Sequence, residues 1–544
     1  MQSVAFFINC IESYLYYELT DMNHAFDATS KIAYRGNNHR SMKPKKQITR
    51  REFVGTAAAA TAFAVVPSHV LGGARHIAPS DKLNIAYVGC GTQGIREMAS
   101  LITQPDIQIT SVCDPNKFST NYVDWSLNGI RDTVRRVLEE PQWGASISGI
   151  PGGRDLGQEL VEKYYAKKNG TGSYKGCKSY IDFRELLEKE DGIDAVKVMT
   201  PDHLHATVSL ASMKKGKHVV IHKPIANRMY EARLTIETAR KTGVSTHLLA
   251  WSQRSGLETA LEWIRKGAIG ELREIHNWSN RPVWPQWTAN PVETPPVPKG
   301  LDWPLWLGPV PDRPYHPNYT NAVFRGWYDF GGGSIADMGH YSLWPLFLTF
   351  GINSAPLSAR AYGTTTCIIE NHVSIGEHNN VAFPFSCMIQ FDFPAQEQWP
   401  EFKLFWYDGG MKPFTPEELE EDGEALPGEG MMYVGEKGKI LADFRGERPR
   451  LIPEKRMVEF TGSAEPPEEK SDRNERTWIE AFKQGTQSPG TFLRALPVTE
   501  TILLGAVALR AGKKVEYDPE KMEITNLPEA NKYLYREYRK GWEL

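Results

Sequence analysis

Short apolar runs alternate with helix-period segments through the first half of the chain. The runs are "NIAYV" (Asn84–Val88), "IQITSVC" ending at Cys113, "IDAVKVMT" ending at Thr200 and "HVVI" ending at Ile221. Each is almost continuously apolar, as in strands covered on both faces. Between them lie helical patterns: one from Ile95, then "SYIDFRELLEK", then "PDHLHATVSLASMKKG". Strand, helix and strand in succession predict a parallel, doubly wound α/β sheet. The stretch from Lys117 to about Tyr174 is longer than one connection needs. It holds "GIRDTVRRVLEE", helix-like, and "GASISGIPGGRD", rich in turn residues, and reads as an insertion: a lid or a subunit contact. Towards the C-terminus, "EPPEEKSDRNERTWIEAFKQG" reads as a charged loop entering a helix, and "VTETILLGAVALRAGKKVEYD" as an amphipathic helix and a last strand.

Glycines change this picture. Gly89, Gly91 and Gly94, with Thr92 and Gln93 between them, form G-x-G-x-x-G between the first strand and the first helix. There the glycines permit a tight turn, close approach of a pyrophosphate and close helix–strand packing, with the helix N-terminus facing the phosphates. The first domain is therefore expected to be a Rossmann dinucleotide-binding domain over residues 79–225. Asp114 closes the second strand, where a carboxylate accepts from both ribose hydroxyls and repels a 2′-phosphate, so NAD is expected rather than NADP. Ligands of such sheets lie beyond the carboxyl ends of the strands. Thr200–Pro201 and His222–Lys223 stand at two such ends, which brings Lys223 to where a nicotinamide is expected.

The N-terminal region carries an address. From Met42, "MKPKKQITRREFVGTAAAATAFAVV" joins a basic start, the pair Arg50–Arg51 and an Ala-rich apolar stretch. Residues 42–78 are similar to a twin-arginine export signal, and the run Val54–Val66 is too short to span a bilayer. Residues 1–41 precede such a signal and are expected to be a spurious upstream extension. Export by that machinery to the periplasm carries proteins already folded, cofactor included.

Composition narrows the partners. A formal net charge of −3 gives no reason to expect nucleic acid. The six cysteines show no metal-ligand spacing, and no metal is expected. The 15 tryptophans gather mainly in the second half, where indole faces serve either a large core or a sugar pocket.

Taken in order, the Gly89–Gly94 turn, "TPDHLHA" (Thr200–Ala206), "HKP" (His222–Pro224) and "GGGSIADMGHY" (Gly331–Tyr341) resemble the Gfo/Idh/MocA family, named for glucose–fructose oxidoreductase and inositol dehydrogenase. "WLGPVPDRPYHP" (Trp306–Pro317) is similar to its exported members. The resemblance implies a C-terminal α/β domain, here 226–544, with an open, mostly antiparallel sheet that often mediates homo-oligomers. It implies carbohydrate or polyol substrates, Lys223 as the catalytic lysine and Asp337 as the signature aspartate. Two positions depart from the family pattern: His222 replaces a glutamate, and Tyr341 stands where a histidine is usual, with His340 one residue earlier. His340 is favoured as base by its intrinsic pKa, with Tyr341 as the other candidate. His203 and His205 are assigned to the cofactor side; Arg254, Arg281, Trp284 and Arg325 are assigned to sugar contacts. The Lys223–Pro224 bond is expected to be cis. The expected activity is hydride transfer from a sugar, glycoside or polyol hydroxyl to tightly held NAD. The alternatives are a redox-neutral glycosidase or epimerase of the same fold, and a ligand-sensing protein without catalysis.

Overall fold

The computed structural model describes residues 81–544 except 286, 378, 473 and 474. The stretches expected to be an upstream extension (1–41) and an export signal (42–78) lie outside the described residues.

Six parallel strands form the first sheet: β1 (Leu83–Val88), β2 (Ile107–Cys113), β3 (Lys178–Tyr180), β4 (Ala195–Val198), β5 (His218–Ile221) and β6 (Thr246–Leu248). Their spatial order is β3-β2-β1-β4-β5-β6, with the switch point between β1 and β4. β1, β4 and β5 are nearly all buried, which is why their sequences run apolar without alternation. β6 pairs in parallel with β5, so the dinucleotide sheet continues past residue 225 and ends near 248. The boundary expected at 225 fell on the loop after β5. The helix Met229–Thr242 beyond that loop is the connection to β6, closed by Gly243 in the left-handed region at φ 69°.

The expected insertion divides in two. Helix Arg154–Lys168 is the crossover helix, since Leu156, Leu160, Val161 and Tyr165 pack in one core with Ile107 and Ile109. The residues extra to the plan run from Pro115 to Gly153 and include helix Gly129–Leu138.

The second sheet has nine strands among the described residues. In spatial order they are Arg450–Ile452, Gly438–Ala442, Gly430–Gly435, Leu272–Trp278, Phe402–Tyr407, Cys387–Phe393, Ser358–Gly363, Val515–Asp518 and Glu523–Ile524. Every neighbouring pair is antiparallel except Leu272–Trp278 with Phe402–Tyr407. One face packs on helices His340–Phe350 and Leu496–Ala511. The chain then returns to the first domain. Helix Glu475–Lys483 buries Trp478, Ile479 and Phe482 in the dinucleotide core, and Arg476 and Lys483 pair with Asp106. No helix among the described residues is long and apolar enough to cross a membrane.

Candidate active site

A cleft of about 1340 Å³, open to solvent, runs along the carboxyl ends of the first sheet. Gly89 has φ +103°, and a Cβ there would stand 2.5 Å from the Met199 carbonyl. A Cβ on Gly94 would stand 2.3 Å from the Gly89 oxygen. No side chain fits at either position, so β1, β4 and helix Thr92–Leu101 close to backbone distance. Gly91 caps that helix with no side-chain hydrogen bond, leaving first-turn N–H groups for an anion. Gly91, Thr92, Gln93 and Gly94 line the cleft. Asp114 lines it too, accepting from the Cys90 N–H at 2.7 Å and the Asn116 N–H at 2.8 Å. Burial pushes its carboxyl up to about 6, against those two hydrogen bonds. Both its oxygens keep lone pairs for ribose hydroxyls. This glycine cradle and acidic strand end fit NAD.

At the other end of the cleft stand Thr200, Pro201, His222 and Arg325. Next to His222, Lys223 is 3% exposed and donates to Asp337 Oδ1 at 2.6 Å; the Lys223–Pro224 bond is cis. Arg325 Nε donates to the same oxygen at 3.1 Å. Burial raises the Asp337 carboxyl, but Lys223, Arg325 and Arg281 outweigh it and hold the group well below the usual range. Burial pulls the Lys223 amine down, helped by Arg325 and opposed by Asp337. Asp202, raised by burial, accepts from the Gly332 N–H at 3.2 Å. The pair is therefore ionic, with more positive than negative charge around it. Sequence reasoning passed over Asp202, which stands inside the quoted "TPDHLHA" two residues after Thr200.

Tyr341 completes the cluster. Its hydroxyl lies 3.0 Å from His222 Nε2, and its ring lies beneath Lys223 Nζ at 4.8 Å and Arg445 at 5.3 Å. A π-helical turn, Ile335–Gly339, leads into helix His340–Phe350. Such turns widen the helix by one residue and re-aim the side chains of the next turn, often at functional sites. Tyr341 meets His222 and Lys223, while His340 is fully buried with Nδ1 against the Ala336 carbonyl at 3.1 Å. Burial pushes the His340 imidazole down to about 3. Burial thus works against His340 as the base that its intrinsic pKa favoured.

The other expected residues separate. Arg281 reaches the cluster through its effect on Asp337, and its guanidinium lies 5.0 Å from the Trp125 ring. His205 bridges two strand ends, with Nε2 2.8 Å from the Thr200 carbonyl and Nδ1 2.5 Å from the Pro224 carbonyl. His203 is a core residue. It is fully buried against Trp306 and Phe330, with Nε2 at the Trp306 carbonyl, and is pushed down to about 3 by burial. Trp284 is buried against Gly326. Arg254 is engaged with Glu447 and Ser252 and pairs through its backbone with Ser471, away from the cleft lining. The sugar role expected for Arg254 is corrected accordingly: the strand end that carries it turns to the C-terminal loop.

Residues 83–249 match the family profile described as "Oxidoreductase family, NAD-binding Rossmann fold". Residues 221–361 match "Oxidoreductase family, C-terminal alpha/beta domain". Among curated proteins, the chain is similar to levoglucosan dehydrogenase of Pseudarthrobacter phenanthrenivorans, 30% identical over 114 residues, 20% of this chain and 29% of that protein. It is also similar to a glycosyl hydrolase family 109 protein of Stenotrophomonas maltophilia, 25% identical over 224 residues, 41% of this chain and 40% of that one. The chain thus spans less than half the length of either relative. Among solved structures, levoglucosan dehydrogenase in complex with NADH and levoglucosan aligns with a TM-score of 0.45 at 14% identity, covering 80% of this chain and 99% of that one. The two overlapping profiles together run from residue 83 to residue 361, and the chain belongs to the Gfo/Idh/MocA oxidoreductase family.

Proposed function

We propose that this protein is an NAD-dependent oxidoreductase that oxidises a secondary hydroxyl of a sugar, glycoside or polyol. The observation that carries this reading is the Lys223–Asp337–Arg325 cluster at the end of β5, continuous through His222 with the dinucleotide cleft. NAD, when bound, supplies the hydride acceptor. The chain supplies charge and a proton path. As a carbinol loses hydride, its oxygen develops negative charge, and the Lys223 ammonium meets it in a site already short of carboxylate. The hydroxyl proton passes to the Tyr341 oxygen while the Tyr341 proton passes to His222 Nε2 at 3.0 Å, so the imidazole ends protonated. Asp337 holds Lys223 in place, and Arg325 holds Asp337.

A redox-neutral reading has one specific support, the likeness to a glycosyl hydrolase family 109 protein. In that reading transient oxidation acidifies a neighbouring C–H, a substituent leaves, and hydride returns. Retained NAD suits both readings, and so does folded export directed by residues 42–78. Incubation of the purified protein with a glycoside panel, following nicotinamide absorbance and sugar products together, separates them. Net oxidation gives stoichiometric NADH and a ketone. The redox-neutral cycle gives free sugar with no lasting absorbance change. Neither product from any sugar contradicts both.

A further inference from the structure

The residues extra to the dinucleotide-binding plan form one wall of the same cleft. Asn121, Tyr122, Val123, Asp124 and Trp125 all line it. Their placement is fixed from several sides. Tyr122 stands 3.2 Å from where a Gly91 Cβ would be, and its hydroxyl accepts from Asn116 Nδ2 at 2.9 Å. Thr92 Oγ1 donates to the Val123 carbonyl at 3.3 Å. Arg96 pairs with Asp124 at 2.7 Å, with the Asp124 side chain 2% exposed. From the second domain, Asn321 Nδ2 donates to the Asn121 carbonyl at 3.0 Å.

Trp125 ends this pinned segment, yet half of its surface is open, at 50%. A single exposed ring is ordinary on a protein surface, but this one lies in the lining of the cleft at the end of a tied-down segment, where its face can meet a ligand. Arg281 lies against the indole at 5.0 Å and also acts on Asp337. Arg325 of the Lys223–Asp337–Arg325 cluster lines the same cleft as Trp125.

We propose that Trp125, backed by Arg281, forms a second sugar subsite at the mouth of the cleft. It receives the ring beyond the one that is oxidised, so the substrate class is a glycoside rather than a free monosaccharide. This rests on the reading of the cleft as a sugar-oxidising site. The open indole face takes the C–H face of a pyranose or an aryl aglycone, and the Arg281 guanidinium over the ring supports it. Arg96–Asp124 and Thr92–Val123 are positioning contacts, because they fix the Trp125 backbone without touching that ligand.

The test compares holoenzyme, Trp125→Phe and Trp125→Ala, each full-length with its NAD content measured. The probes are p-nitrophenyl glycosides and disaccharides against their parent monosaccharides. The KM for glycosides is expected to rise about tenfold more than that for monosaccharides in Trp125→Ala, with Trp125→Phe recovering most of the difference. Equal losses on both substrate types, or loss of NAD in place of glycoside discrimination, overturn the subsite; the latter makes Trp125 a cofactor cover. Saturation-transfer NMR reads the subsite without turnover. Aglycone or outer-ring protons should receive saturation from wild type and lose it in Trp125→Ala. Outer-ring contact without turnover contradicts only the oxidoreductase reading. Turnover with no Trp125 dependence contradicts only the subsite.

Discussion

Two lysines are buried at neighbouring strands of the first sheet, and they are different objects. Lys197 lies within β4 at 0% exposure, its Nζ 3.2 Å from Glu97 and 3.5 Å from Glu475. Lys223 lies just beyond β5, where Asp337 is shared with Arg325 and felt by Arg281. The first cation stands between two carboxylates. The second shares Asp337 with two further cations, Arg325 and Arg281, and Asp202 adds a more distant carboxylate, so three cations face two carboxylates. A buried charge with surplus counter-charge is structural, because removing it leaves carboxylates unpaired in low dielectric. A buried charge short of counter-charge is held ready for a negative group that arrives later. The balance of partners, more than the burial, separates scaffold from site.

Tyr341→Phe sharpens the catalytic side of this comparison and carries the largest expected effect. It removes the hydroxyl facing His222 and leaves the ring beneath Lys223. The rate should fall by about 10²–10⁴, with the pH dependence of that limb, while melting temperature and NAD content hold. An unchanged rate sends the proton elsewhere and restores the question of His340.

Lys197→Met addresses the structural side. Glu97 and Glu475 then lose their shared cation, and stability should fall by about 3–5 kcal/mol, read by denaturant unfolding. Turnover per folded molecule should stay close to wild type. A rate loss without a stability loss would erase the distinction between the two lysines.

Asp114 gives the smallest effect, and it extends the rule to carboxylates. Asp337, among cations, is held low; Asp114, stabilised mainly by two backbone N–H groups, is pushed up to about 6. A raised carboxyl favours the cofactor-free fold below about pH 4, and that contribution is lost as pH rises through 6. Ribose hydroxyls donate to the ionised form, so NAD affinity runs the other way. It should weaken by up to about tenfold per pH unit below 6, measured by calorimetry, and Asp114→Asn should flatten that profile.

The dinucleotide half was legible because its signals are local. Buried strands run apolar, and the Gly89–Gly94 turn and the strand-end Asp114 and Lys223 all lie within short stretches. What escaped depends on partners far away in sequence. Lys197 stands in a strand that its own apolar run predicts, but Glu475 reaches it from a helix 278 residues later, and nothing in "AVKV" announces that. Lys223 was legible as a strand-end cation, whereas its charge deficit needs Arg325 and Arg281 to be brought to Asp337. That Tyr341 meets His222 and Lys223 while His340 turns into the core follows a π-helical turn, a one-residue change of phase that the 3.6-residue pattern does not encode. Trp125 lay inside the expected insertion, in a stretch that the sequence marks neither as helix nor as turn.

The central claim is that Lys223 is a cation held for chemistry while Lys197 is a cation held for stability. Lys223→Met and Lys197→Met, each measured for single-turnover hydride transfer and for melting temperature in the same buffer, test it most directly. The account predicts that Lys223→Met loses about 10²–10³ in rate, with NAD content and melting temperature near wild type, because Arg325 and Arg281 still neutralise Asp337. It predicts the reverse pattern for Lys197→Met. If Lys223→Met turns over near the wild-type rate, or if it melts as early as Lys197→Met, the account is wrong.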